Sequence, residues 1–163
     1  MSDTPIKYTP ETGFRRAEEL IAECIATKST FLDLGNLALE EVPEGLGECV
    51  WLLELNLGDH YRFEEGKDKW SRGQGDQSNQ NHNKLLALPE QLNKLLHLEK
   101  ISLIFLRSVN DLTPLSKSSL LTYLNCIGTA VNDLSPLSGL TALNSLDCGN
   151  TQVNDLSPLS GLT

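Results

Sequence analysis

Eleven residues, VNDLSPLSGLT, stand at 131–141 and again, letter for letter, at 153–163, an offset of 22 residues. A fixed period of that length marks a chain that coils: each turn is too small to bury its own apolar residues, so a core forms only where turns stack. The offset extends backwards. Leu121, Leu124, Cys126, Thr129, Val131, Leu134 and Leu137 map onto Leu143, Leu146, Cys148, Thr151, Val153, Leu156 and Leu159. Earlier units keep the frame with drift. One runs through Leu98, Ile101, Leu103, Val109, Leu112 and Leu115, with one extra residue between Leu103 and Val109. Another has Leu52, Leu55 and Leu57 and, after an interruption, Asn83, Leu85, Leu88, Pro89, Leu92 and Leu95. The first has Leu32, Leu34, Leu39, Val42, Pro43 and Leu46. The frame therefore holds about five units.

These units resemble the leucine-rich-repeat family, whose pattern LxxLxLxxNxL reads here as LLELNL…NKL and LTYLNCIGTAV. The resemblance covers residues 29–163, behind an N-terminal tail and helix at 1–28. It implies an α/β solenoid, a curved parallel sheet with short 3-10 or irregular turns on its convex side. The units with VPEGL and LPEQL resemble the LP-containing type, and the last three the shorter bacterial type ending in DLTPL or DLSPL. The chain departs from the family at the asparagine position, which holds Leu37 in the first unit and Thr129 and Thr151 in the last two. A threonine hydroxyl can still bond the backbone and Leu37 cannot, which predicts a looser first turn.

Alternation within each LxL segment points Leu32 and Leu34, Leu55 and Leu57, Ile101 and Leu103, Leu124 and Cys126, and Leu146 and Cys148 inward. The two cysteines then read as packing rather than as a redox or metal pair. The returns Asp111–Leu115, Asp133–Leu137 and Asp155–Leu159, too short for α-helices, predict single helical turns that start at Asp or Ser before Pro. Concave positions follow from the same alternation. The central column is Asp33, Asn56, Ser102, Asn125 and Asp147. One flank is Phe31, Glu54, Lys100, Tyr123 and Ser145, and the other is Gly35, Gly58, Ile104, Ile127 and Gly149. Ile104, Tyr123 and Ile127, with Phe105 close by and Asn125 and Asp147 alongside, form a candidate docking surface. The alternative is that Phe105 and one isoleucine fold back over the one-residue insertion.

A polar stretch, GDHYRFEEGKDKWSRGQGDQSNQNH, interrupts the second unit with an insertion at about 60–82. Its second half, through Asn83, has the composition of a flexible segment. Tyr61, Phe63 and Trp70 either clamp the loop to the solenoid or anchor a partner, which makes Tyr61 and Trp70 candidate binding residues. Asp59, His60, Asp76 and His82 are donor types for a metal, but they lack tight spacing, and a charged loop is the plainer account. Residues 14–28, FRRAEELIAECIATK, place Phe14, Ala17, Leu20, Ile21, Cys24 and Ile25 at helical spacing, the pattern of a helix that caps the open end of a solenoid. The chain stops at LSGLT inside the repeat register, which predicts either the recognition part of a longer protein or an edge that pairs with another copy.

A net charge of −9 and a pI near 4.7 disfavour nucleic acid and anionic membranes as partners. Without a long apolar run or secretory leader the expected setting is cytoplasmic, and the four dispersed cysteines fit reduced thiols. No nucleotide cofactor is expected, since nothing matches GxxxxGK[ST]. His60, His82 and His97 lack an evident partner set, which disfavours an enzyme. The remaining classes are a module that binds a protein partner and a self-assembling structural protein. Within the first, the helix and TFLDLGNLALEEVPEGL are similar to the start of the repeat region in bacterial Roco proteins, where such repeats precede a GTPase domain.

Overall fold

The computed structural model describes residues 7–64, 67–70 and 81–162, with the backbone alone described over 61–64 and 67–70. In chain order its regular elements are α1 (Pro10–Thr27), β1 (Phe31–Asp33), β2 (Glu54–Asn56), β3 (His60–Glu64), β4 (Lys67–Trp70), β5 (Lys100–Ser102), β6 (Tyr123–Asn125) and β7 (Ser145–Asp147). Short 3-10 turns lie at Glu44–Glu48, Glu90–Lys94, Thr113–Leu115, Ser135–Leu137 and Ser157–Leu159.

Strands of three residues make too few backbone bonds to persist alone, so their side chains hold them in place. The parallel sheet runs in the order β1-β2-β5-β6-β7 without a register shift, which sets Leu32, Leu55, Ile101, Leu124 and Leu146 side by side. A second ladder of Leu34, Leu57, Leu103 and Cys126 is fully buried. Each such side chain contributes about 1.5–3 kcal/mol when withdrawn from water, and only the neighbouring turn withdraws it. Leu146 and Cys148, in the last described turn, are accordingly half-buried. Leu106 takes the asparagine position of the third unit and is itself buried.

On the convex side the three DL[ST]PL returns form the single turns read from sequence. Asp111, Asp133 and Asp155 each accept the amide of the residue two places on, at 2.7, 2.8 and 2.8 Å, and proline follows or directs the turn at its first helical positions. Hydroxyl and amide bonds from Thr113 and Ser135, and amide and hydroxyl bonds from Ser157, hold these carboxyls below the usual range. At the asparagine position Thr129 and Thr151 donate to the carbonyls of Cys126 and Cys148.

The helix begins earlier than its apolar spacing indicates. Thr9 caps it by accepting the Thr12 amide, Thr12 returns the bond by accepting the Thr9 amide, and Pro10 opens the first turn, all before the first inward residue. Ala17, Ile21 and Cys24 are buried against the first repeat. Past the helix, Trp51 Nε1 donates to the Ser29 carbonyl and Lys28 Nζ sits 3.6 Å above the Trp51 ring.

The looser first turn does not occur. Asn83, on the return from the insertion, accepts the amides of Leu37 and Leu39 at 3.1 and 3.0 Å and donates to the carbonyls of Leu34 and Leu57, both at 2.8 Å. Its amide group thereby uses both lone pairs and both protons, and joins turns one and two. Leu37 is free to be a fully buried apolar side chain because the second turn supplies the polar group the first lacks.

Replacing Asn83 with Ala would orphan four buried backbone groups, so Asn83→Ala is expected to cost upwards of about 3 kcal/mol. Urea unfolding checks it; a loss below about 1 kcal/mol would contradict the bridging role.

Candidate functional site: the concave face and the root of the hairpin

The inner face of the sheet is built on a repeated local bond. Asp33, Asn56, Asn125 and Asp147 each accept, through Oδ1, the amide of the residue two places on, which turns the chain out of its strand. Asn56 Nδ2 also donates to Asp33 Oδ1 at 2.8 Å, and Asn125 Nδ2 to the Tyr123 hydroxyl at 3.2 Å. Ser102 instead donates to the carbonyl of His60, at 2.6 Å. On the flank, Lys100 and Glu54 pair across neighbouring strands at 2.8 Å, both about two-thirds withdrawn from solvent.

The Ser102 bond shows where the insertion goes. β3 starts over the inner face and pairs antiparallel with β4, His60 opposite Trp70 and Glu64 opposite Lys67, and it packs against β2 and β5. The central column is less open than alternation alone predicts: Asn56 and Ser102, on the strands β3 packs against, are fully buried, Asn125, bonded to Tyr123, is 5% exposed, and Asp147 is exposed.

The predicted apolar patch also needs correction. Ile104 is 1% exposed, because the chain at Gly58 lies against its backbone and Asp59 donates to its carbonyl. Phe105 is half-buried in a left-handed conformation (φ 63°), with its ring over Gly128, whose own φ of 67° and missing Cβ leave room for it. Phe105 also meets the His60 ring edge-on at 6.2 Å. Phe105 and Ile104 thus take the folded-back arrangement, while Tyr123 and Ile127 stay half-exposed beside Ser145, Asp147 and Gly149. The side chains of Tyr61, Phe63 and Trp70 lie outside the described residues.

The root of the hairpin carries the densest polar contacts on this face. Asp59, 3% exposed, donates its amide to Ile104, accepts Asn36 Nδ2 on its carbonyl at 2.8 Å, and meets His82 Nδ1 with its carboxylate at 2.5 Å. Burial pushes the Asp59 carboxyl up from its ordinary value, against the opposing pull of His82, His60 and Arg107. Asn81 accepts the amides of Tyr8, on its side chain, and of Ala38, on its carbonyl. Residues 81–83, read from composition as the end of a flexible segment, are held firmly, since Asn81 and Asn83 are buried. His82, read as lacking a catalytic partner set, meets Asp59. The signal was available, because the two residues flank the insertion and so are brought together by a solenoid that must close behind it. Asp76 lies outside the described residues, and among the described residues no group of three or more His, Cys, Asp or Glu could hold a metal. His97 is exposed, with Nδ1 3.0 Å from the Val50 carbonyl.

The thiols are packing groups. Burial pushes Cys49 and Cys126 up to about 12, which keeps them protonated and poor nucleophiles near neutrality. No helix among the described residues is long and apolar enough to cross a membrane.

Comparison with known proteins agrees with this architecture. A family model described as Leucine Rich repeats (2 copies) matches residues 119–161. Among solved structures, internalin C2 of Listeria monocytogenes is similar with a TM-score of 0.57 and 22% identity, over 99% of this chain and 76% of that one. An internalin (inlF) of the same species has a TM-score of 0.50 and 25% identity, over 82% of this chain and 38% of that one. No curated protein sequence matches significantly. The fold is a leucine-rich-repeat solenoid.

A Cβ on Gly58 would stand 2.4 Å from the Ile104 amide nitrogen and 2.6 Å from its carbonyl oxygen, and neither backbone atom can move alone. Gly58→Ala is expected to lower stability by about 1–3 kcal/mol, read as a drop in Tm, whereas Gly139→Ala, which meets nothing within 4 Å among the described residues, leaves Tm in place. Equal Tm values for the two variants would remove the close approach at the hairpin root.

Proposed function

On the premise of stacked leucine-rich repeats, we propose that the chain is a protein–protein interaction module that binds its partner on the concave face over β6 and β7, beside the hairpin that leaves β2. The observation that carries this reading is the pairing of half-exposed Tyr123 and Ile127 with exposed Ser145 and Asp147 on a floor already fixed by its own hydrogen bonds. A rigid, mixed surface loses little entropy on binding, and aromatic residues in such settings tend to dominate the energy. The acidic balance favours a protein partner over nucleic acid or an anionic membrane. The reading is of a binding module rather than an enzyme, and of a cytoplasmic one, in keeping with four free thiols. Its narrower form, the regulatory repeat region of a Roco-type GTPase, draws on the resemblance of the N-terminal segment alone. Tyr61 and Trp70 belong to the proposed surface through their place on the hairpin.

Capture with a tagged chain, followed by titration calorimetry with each purified captured protein, tests the proposal. Tyr123→Ala combined with Ser145→Lys is expected to weaken binding at least about tenfold, or about 1.4 kcal/mol. Leu86→Glu, at a residue 76% exposed and outside the concave columns, should bind as wild type does. Undiminished affinity in the concave double variant would overturn the assignment.

A second reading is self-association at the edge of β7, favoured by Leu156 at 60% exposure beside half-buried Leu146, Val153 and Leu159. Sedimentation velocity should then show concentration-dependent dimerisation that Leu156→Glu abolishes; a monomer at every concentration would eliminate it.

A further inference from the structure

The start of α1 and the first repeat enclose a groove of about 470 Å³, lined by Pro10, Glu11, Phe14, Glu40 and Glu41. It belongs to the first turn of the solenoid, at the opposite end of the sheet from β7. Both walls are fixed. On one side Thr9 and Thr12 cap the helix, and Gly13 brings it so close to the first turn that a Cβ there would stand 1.6 Å from the Leu37 carbonyl oxygen. On the other, Glu40 and Glu41 stand between buried Leu39 and buried Val42, and the Leu39 carbonyl accepts the Lys84 amide at 2.6 Å. Phe14, half-buried against the core, is the least exposed residue of the lining and forms its floor; Pro10 and the three glutamates are exposed.

The carboxylates on the rim carry no bond that the fold needs. Glu11 has only a loose pair with Arg15 at 3.7 Å, the Arg15 and Glu11 side chains being 68% and 85% exposed. Glu40 and Glu41 have no hydrogen bond or ion pair among the described residues, and Lys84, on the neighbouring turn, pairs with neither. The repeat does not ask for them either, since the same frame positions in the second unit hold Leu86 and Ala87. The positive end of the helix is already answered by Thr9 at the Thr12 amide and by Glu11 in the first turn. What remains is an aromatic floor under an excess of negative charge. Among the described residues no three acidic or metal-binding side chains converge enough to hold a metal, so the complementary ligand is a spread cation with an apolar stem.

We propose that this groove docks an arginine-bearing segment of a partner protein, with a guanidinium lying on Phe14 among the carboxylates of Glu11, Glu40 and Glu41. Arginine fits in three ways. Its planar head stacks on an aromatic face, its fork of donors reaches two carboxylates at once, and its aliphatic stem covers apolar surface such as Pro10. The net charge of −9 draws basic segments towards the chain before any contact forms. The rigid walls mean that little ordering is needed on this side of the complex. The groove holds or fails independently of whether the concave face binds a partner.

Nuclear magnetic resonance titration of the full chain tests it, with an acetylated, amidated pentapeptide of alternating leucine and arginine as the probe. The Phe14, Glu40 and Glu41 signals are expected to shift and saturate. The same peptide with citrulline for arginine, which keeps the planar head but not its charge, should bind at least about tenfold more weakly. Glu40→Gln with Glu41→Gln should weaken the arginine peptide by a similar factor, and Phe14→Leu, which keeps an apolar floor without a ring, by about two- to fivefold. Glu44→Gln with Glu48→Gln removes the same charge from the first 3-10 turn, outside the groove, and should leave affinity within about twofold of wild type. Circular dichroism establishes that each variant is folded. Equal weakening in the two double variants, equal binding of the citrulline peptide, or shifts that avoid these three residues would overturn the groove. Agmatine, a free guanidinium of the same total charge as the peptide, should bind at least about tenfold more weakly than it does; equal affinity would overturn a protein segment as the occupant.

Discussion

No turn of this chain can keep its own leucines dry. A strand of three residues, a tight bend and a single 3-10 turn enclose nothing, so the burial of Leu55 or Leu124 belongs as much to the turns on either side as to its own. The unbroken register of the sheet follows, because a slip by one residue would exchange a ladder leucine for an asparagine of the inner column. So does the gradient along the solenoid: α1 seals the first turn with Ala17, Ile21 and Cys24, and the last described turn, with no further turn stacked on it among the described residues, leaves Leu146 and Cys148 half-buried.

A coil that depends on stacking tolerates an insertion only if the gap closes behind it. Asn83 provides the closure for the backbone, with two bonds to each side of its amide, and Asp59 and His82 provide it for the chain that leaves and returns. The cost is borne by the inner face. Where β3 begins, Ser102 gives its hydroxyl to His60, and a stretch of floor that alternation alone would leave open is covered. The most exposed residue of the inner column is thereby Asp147, on β7, far from the strands nearest the helix.

Much of this was legible in the sequence because it is periodic. The 22-residue offset located the ladders, the convex turns and the inner columns, since each depends on spacing alone. What spacing could not convey was compensation between turns. Leu37 looked like a defect when its turn was considered alone, and Asn83 makes it good from the next turn, across 46 residues of sequence. Ile104 looked exposed because strand alternation places it on a flank, yet Gly58 permits a backbone approach that buries it. The apolar spacing of α1 likewise marked where the helix packs and not where it starts, because Thr9 and Pro10 act on the backbone before any residue faces inward.

The inner column also bears on how such a face could be altered. Asp33, Asn56, Asn125 and Asp147 each spend an oxygen on the backbone turn that follows, so their identity is committed to folding before any partner arrives. On the flank, Lys100 and Glu54 pair with each other, the Tyr123 hydroxyl accepts a bond from Asn125, and Ser145 is exposed. A library meant to give this scaffold a new ligand would diversify the flank and hold the column constant. On β1, β2, β6 and β7 the residue whose side-chain oxygen turns the chain stands two positions after the flank residue of the same strand, so shape and surface are written at separate places.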